Sequence, residues 1–204
     1  MTNFEHNSQT TVEDNTIWPC LPEQDASQED LKVHQLVFAP HAALEKAVAA
    51  FPEGMPEYRR AIATHMTDLM VTHRGIGLAA NQINLNAAVH VQMVQRDVVA
   101  MFNPQVHEVS ADHVLMSEGC LSEPGLFLKI SRPDMVLASW EDETGTRTSA
   151  TLFGMDARVF LHEFDHLQGI MFTDRVGRVK LQMARKKQLQ RIDIAAQRIM
   201  ARLK

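Results

Sequence analysis

Two histidines four residues apart, with a glutamate beside the first, make up His162-Glu163-Phe164-Asp165-His166. This is the segment best suited to chemistry. On a helix, positions i and i+4 share one face, so both imidazoles can hold a single metal ion. Glu163 then stands where a carboxylate can exchange protons with a water on that ion. The plain alternative is a core helix that happens to carry two histidines. The pattern is short enough to arise by chance, so its context decides.

A catalytic ion needs three protein ligands and an open position. The long metzincin pattern continues with a glycine and a third histidine. This chain supplies Gly169 but has Phe172 at the histidine position. Thermolysin-like sites take a downstream glutamate, and residues 167–204 contain no glutamate, only Asp174 and Asp193 as acids. The third ligand must then lie upstream. Cys120 is the best candidate there, because a thiolate binds borderline and soft divalent ions tightly. A free cysteine is more often a small buried hydrophobe, but Cys120 sits in Glu118-Gly119-Cys120-Leu121-Ser122. Farther upstream stands Gly75-Ile76-Gly77-Leu78-Ala79-Ala80-Asn81-Gln82.

With these three segments in this order, the chain resembles the peptide deformylases over roughly Leu36 to Arg178. The resemblance implies that Cys120, His162 and His166 bind one divalent ion, natively Fe2+, with Zn2+, Ni2+ or Co2+ able to substitute. It implies that water on the metal attacks the formyl carbon of an N-formylmethionyl nascent peptide and releases formate. Glu163 is then general base and later general acid. The Gln82 side-chain amide and the Leu121 backbone N–H become donors to the oxyanion. Gly77 is expected to bind the substrate backbone, and Ile76 and Val159 to line the methionine pocket. Glu118 and Arg132 are expected to buttress the cysteine loop, and Asp165 to orient a ligand imidazole or the neighbouring backbone.

Some positions depart from the family pattern. Asn81 stands where proline is common, Leu161 where glutamine is common, and Phe127 where some members carry an arginine near the substrate. Two rivals remain. One is a zinc endopeptidase using only His-Glu-x-x-His, disfavoured by Phe172 and the missing downstream glutamate. The other is a catalytically weak deformylase-like protein kept as a ribosome-binding module, disfavoured by intact Cys120, Gln82 and Glu163.

The elements that must position these residues read as α+β: short antiparallel strands around a central metal-binding helix, with an amphipathic helix at the C-terminal end. Ile62, Met66, Leu69 and His73 recur at helical spacing after Pro56, with Gly75 where a cap belongs. Short β-rich runs occupy 88–94, 98–103, 114–117, 126–130, 135–140 and 149–153. Turn signals at Asn103-Pro104, Pro124-Gly125, Arg132-Pro133 and Glu143-Thr144-Gly145 separate them. A helix is expected from Met155 to Gln168, closed by Gly169, and another from about Lys180 to Leu203.

Length and apolar content, 204 residues with 45% hydrophobic side chains, fit one domain with tails. The division expected is an acidic extension over 1–31, a catalytic domain over 32–178 and a basic helix over 179–204. The extension holds seven acids and no Lys or Arg, with the apolar cluster Ile17-Trp18-Pro19-Cys20-Leu21 as a possible docking point. No signal or transit pattern and no membrane-length apolar run are read, so a cytoplasmic protein without a membrane partner is expected.

The net charge of −5 hides a division: 1–174 carry 10 basic and 24 acidic residues, whereas 175–204 carry 10 basic residues and Asp193. Such a basic amphipathic helix is ordinarily one packed and one solvated face. The sharper reading, also implied by the resemblance, is docking on ribosomal RNA that weakens with salt.

Overall fold

In a computed structural model, residues 34–202 are described. The acidic extension and its Ile17–Leu21 cluster lie outside the described residues. The fold is α+β with antiparallel sheets, as expected. Helix α1 spans Pro56–Thr72. Strand β1 is Gly77–Ala79, β2 Val89–Val94, β3 Asp97–Val109, β4 His113–Cys120, β5 Glu123–Pro133, β6 Met135–Glu141 and β7 Arg147–Phe153. Helix α2 covers Gly154–Leu167 and α3 covers Arg178–Arg202.

Five strands form one sheet in the order β1-β2-β3-β6-β7, while β4 and β5 form a separate hairpin. Helix α1 starts on Pro56, whose fixed φ suits the first helical turn. It buries Ile62, Met66 and Met70 against Leu78, Val89 and Val91. Helix α2 is buried on most of its circumference and touches both the large sheet and β5. Its sheet side holds Ala157 and Phe160 against Met101, Val136 and Leu152. The contact between two sheets is therefore made by the helix that carries His162 and His166.

Among the described residues, the apolar packing of helix α3 comes from its first turns, while Arg185, Gln188 and Arg191 bond farther along to Glu123, Pro124 and Gly125 of β5. Leu181 and Ala184 cover Leu126, Leu128, Ile130 and Phe172. The stripe expected to pack is instead open at Leu189 and Ile192, which are 67% and 51% exposed.

Three local expectations are corrected. The left-handed residue closing α1 is Arg74, at φ 57, and not Gly75. Gly75 sits close to Leu121, whose Cδ1 a Cβ there would meet at 2.8 Å. Asn103-Pro104 is no turn: β3 runs through it, with a register shift between Phe102 and Gln105 and Asn103 at φ 46. The Asn103 side chain accepts from the Phe51 N–H at 2.7 Å and donates to the Phe51 carbonyl at 2.9 Å, which pins the irregularity. Pro124-Gly125 lies within β5; the chain reverses at Leu121-Ser122, directly after Cys120. That reversal brings the end of a strand, rather than its middle, to the site.

Candidate metal centre and cleft

Three elements converge on one point. Strand β4 ends with the half-buried Cys120, the only described cysteine and a free thiol. Helix α2 presents His162 and His166 one turn apart, their ring centroids 5.0 Å apart. The turn after β1 presents Gln82. One ligating atom each from Cys120, His162 and His166 all lie within 4.8 Å of one another. Cys120 Sγ and His166 Nε2 are 3.2 Å apart. Donors around one tetrahedral ion at ordinary bond lengths are about 3.5 Å apart, so this donor set fits a single cation. One sulfur and two imidazoles suit Fe, Co, Ni or Zn better than Mg or Ca.

The ring orientations agree with this. His162 Nδ1 is 3.1 Å from Glu118 Oε2, which leaves its other nitrogen for the cluster. Burial is the largest influence on the His162 ring and favours its neutral form. Hydrogen bonds to Cys120 and Glu118 overcome it and push the pKa up to about 10. His166 lies well below its ordinary value, through burial first and then the nearby His162 and Arg132 charges. Asn81 donates from Nδ2 to the His166 carbonyl, fixing the backbone of the second histidine.

Glu118 is the hub of a buried charge ladder. Its Oε1 accepts from Arg132 Nε at 2.8 Å and from an Arg158 nitrogen at 2.6 Å. Its Oε2 accepts from a second Arg132 nitrogen at 3.0 Å. Burial alone would raise its pKa, but bonds to His162 and Arg132 bring it down to about 2. Asp165, expected to orient an imidazole or the local backbone, pairs instead with Arg132 at 2.7 Å and with Arg175. Two guanidinium groups thus hold its carboxylate. Arg132 also donates to the Leu161 carbonyl at 3.3 Å.

Glu163 is 4% exposed, and its Oε2 has no protein partner. Burial pushes its pKa up to about 7, partly opposed by the nearby His162 and Arg132 charges. A carboxyl near neutrality can both take and return a proton. Gln82 is held by the Ala79 N–H donating to its Oε1 at 2.8 Å. Its amide nitrogen is then turned toward Cys120 Sγ at 3.3 Å and Ser122 Oγ at 3.2 Å.

A cleft of about 730 Å³ opens onto these groups, lined by Gly77, Gln82, Leu121, Val159, His162 and Glu163 among others. Ile76 stands on its rim, 48% exposed, and Val159 is buried in its wall. Leu36, Phe38, Phe127 and Met155 add apolar surface. Gly77 has no room for a side chain: a Cβ would lie 2.8 Å from both Glu163 Cδ and Val159 Cγ1.

Every site residue singled out in the sequence therefore lies in or against one region. Sequence reasoning missed Arg158, whose position four residues before His162 on the same helical face was the available signal. It also missed Ser122, which lies within a segment already singled out, and the bond from Asn81, which no local pattern announces.

The family model of the polypeptide deformylases matches residues 33–182. A peptide deformylase of Thermotoga maritima is 34% identical over 142 residues, covering 70% of this chain and 84% of that protein. The chloroplastic peptide deformylase 1B of Oryza sativa subsp. japonica is 36% identical over 140 residues, covering 66% of this chain; the chain spans about half of that relative, 51%. Among solved structures, a peptide deformylase from Synechococcus elongatus in complex with actinonin superposes with a TM-score of 0.71 at 33% identity, covering 76% of this chain and 85% of that one. One from Legionella pneumophila gives 0.72 at 28% identity, covering 80% and 97%.

Proposed function

Because the chain belongs to the polypeptide deformylase family and is a metal-dependent hydrolase of that family, we propose that this site removes the formyl group from N-formylmethionyl nascent peptides. One observation carries the assignment to these residues. The ligating atoms of Cys120, His162 and His166 meet within 4.8 Å, beside an unpartnered Glu163 carboxylate at the base of the cleft.

Cys120, His162 and His166 would hold one divalent ion, natively Fe2+, with Zn2+, Ni2+ or Co2+ as substitutes. When bound, such an ion lowers the pKa of water to about 7 and polarises a carbonyl oxygen. Glu163 takes the proton from the attacking water on its free Oε2. It then delivers that proton to the methionine nitrogen as the formyl C–N bond breaks, giving formate and a free amino terminus. The Gln82 amide and the Leu121 backbone N–H donate to the oxygen that gains charge during the addition. One such donor typically contributes about 2.7–4 kcal/mol of barrier lowering. Gly77 admits the peptide backbone where any side chain would displace Glu163, and Ile76 and Val159 offer apolar surface to the methionine. Glu118 fixes the His162 ring, with Arg132 neutralising it and Asp165 steadying Arg132 from the far side.

The endopeptidase rival is weakened by Phe172, a fully buried ring 5.8 Å from the His162 centroid that fills the place of a downstream ligand. The partner reading extends to ribosomal RNA, approached by the basic face of α3, where Arg178, Lys180, Lys186 and Lys187 are exposed. Cosedimentation with ribosomes that weakens with salt supports it; sedimentation unchanged on deleting 180–204 removes it. No described helix is long and apolar enough to cross a membrane. We place the activity in the cytoplasm, where formylmethionyl chains are made in bacteria; the rice relative is named as chloroplastic.

The deciding experiment measures formate from a formyl-Met-Ala peptide with anaerobically purified, iron-loaded protein. Turnover by wild type and its loss in Glu163→Ala are expected. No formate from wild type, or equal formate from the variant, overturns the assignment.

A further inference from the structure

Next to the cleft, sharing Phe127 with it, lies a groove of about 630 Å³ between α3 and β5. Its apolar surface comes from Phe127, Leu128, Val179, Met183 and Ala184. Its rim carries five cations, Lys129, Arg178, Lys180, Lys187 and Arg191, and no acid. None of the five forms an ion pair among the described residues. Lys180 and Arg191 bond to the Lys129 and Gly125 carbonyls and Arg191 lies over the Phe127 ring, so Lys129, Arg178 and Lys187 are the cations freest to meet an acid, on a chain whose residues 1–174 carry a net −14. Val179 and Met183 are 72% and 61% exposed, so the groove has nothing over it in the described structure.

The chain contains a segment of the complementary kind. Residues 13–25 read Glu-Asp-Asn-Thr-Ile-Trp-Pro-Cys-Leu-Pro-Glu-Gln-Asp. An apolar centre, Ile17-Trp18-Pro19-Cys20-Leu21, is flanked on both sides by acids, and no basic residue occurs before Lys32. The described chain begins at His34, and Leu36 and Phe38 lie on the rim of the same cleft that Phe127 borders from the other side. The thirteen steps from Leu21 to His34 can reach about 43 Å when extended, roughly the diameter of the domain. Linkage within one chain also gives an effective concentration in the millimolar range, enough for a modest contact to stay formed.

From this complementarity of apolar centre, charge and reach, we propose that residues 13–25 dock in the groove between α3 and β5. Met183 and Phe127 supply the apolar surface for such a segment, and Lys129 and Lys187 the opposite charge. The docking itself does not rest on the ribosome reading.

The experiment uses the full, metal-loaded chain and the fluorescence of Trp18, isolated by subtracting Trp18→Phe, since Trp140 lies in the core at 7% exposure. At low salt, acrylamide should quench Trp18 about threefold less than in the urea-unfolded chain, the shielding that a Trp packed on apolar surface acquires. Met183→Asp, and separately the pair Lys129→Glu with Lys187→Glu, should each restore free quenching while the core Trp140 signal stays native. The two variants attack apolar contact and charge independently, so misfolding of one leaves the other decisive. Free quenching of Trp18 in wild type overturns the proposal. So does shielding that neither variant disturbs, which places the segment elsewhere. Shielding that vanishes on about a hundredfold dilution assigns the groove to a second copy of the chain and overturns it equally.

Discussion

Glu118 meets His162 within the lining of the cleft: its Oε2 lies 3.1 Å from Nδ1, while Arg132 and Arg158 hold the same carboxylate. The ring is thus oriented by a group whose charge is balanced by two buried guanidiniums.

Glu118→Gln keeps the shape and removes the charge. Outer hydrogen-bond partners of a ligating histidine are worth about 10–100-fold in metal affinity. Chelator competition on the cobalt-loaded protein should show a loss in that range, with a changed cobalt absorption spectrum. An unchanged dissociation constant would mean that ring packing alone orients His162.

Gly77→Ala tests the closeness of Glu163. The new Cβ would sit 2.8 Å from Glu163 Cδ and Val159 Cγ1, both on buried side chains of α2. The φ at this position does not demand glycine, so the fold should survive. The carboxylate must shift, and misplacement by about 1 Å can cost about a hundredfold in rate. We expect kcat to fall by that order with the thermal midpoint nearly unchanged. Full activity would show that Glu163 can do its work from elsewhere.

The contrast between these two sites explains what could be read in advance. The meeting of His162, Glu163 and His166 was legible because helical spacing places them locally, and Cys120 and Gln82 stand in two other short segments that the structure brings beside them. The helix over 155–168, most strands and the turn at Glu143-Thr144-Gly145 were read in advance. Two other turn signals were not turns. Asn103-Pro104 looks like a break, yet the bond from Asn103 to Phe51, 52 residues earlier, holds the strand through it. Arg158 was missed for a related reason, although helical spacing puts it on the face of His162. Its role depends on Glu118 and on the carbonyls of Val114 and Ile130, all distant in sequence. Long-range partners decide both cases, and local pattern carries no trace of them.

Arg59 and Glu141 form a second buried ion pair, away from the cleft. Arg59 is 1% exposed, lies over the Phe51 and Phe102 rings at 4.8 and 4.9 Å, and meets Glu141 at 2.7 Å. Removing one partner of a buried pair strands the other charge, at a cost of about 3–5 kcal/mol. Glu141 keeps some solvent contact, so Glu141→Ala should fall at the lower end, near 3 kcal/mol by urea unfolding, with kcat unaltered. A loss under about 1 kcal/mol would show that water replaces the carboxylate.

His90 sets an acid limit on stability. It is fully buried on β2, edge-to-face with Phe160 at 5.3 Å between centroids. Burial holds its pKa down to about 3, with Gln92 offsetting only part of the effect. Between pH 6.5 and 3 the unfolded chain therefore binds a proton that the folded chain refuses. By linkage, the stability from keeping this ring neutral is whole above pH 6.5 and is lost as the pH falls, at up to about 1.4 kcal/mol per pH unit. From pH 7 to pH 5 the expected contribution is about 2 kcal/mol. His90→Leu cannot take the proton in either state. Urea unfolding at the two pH values should give a smaller acid loss for the variant than for wild type by about that amount. If both lose the same stability, acid sensitivity belongs to other groups and the buried ring is passive.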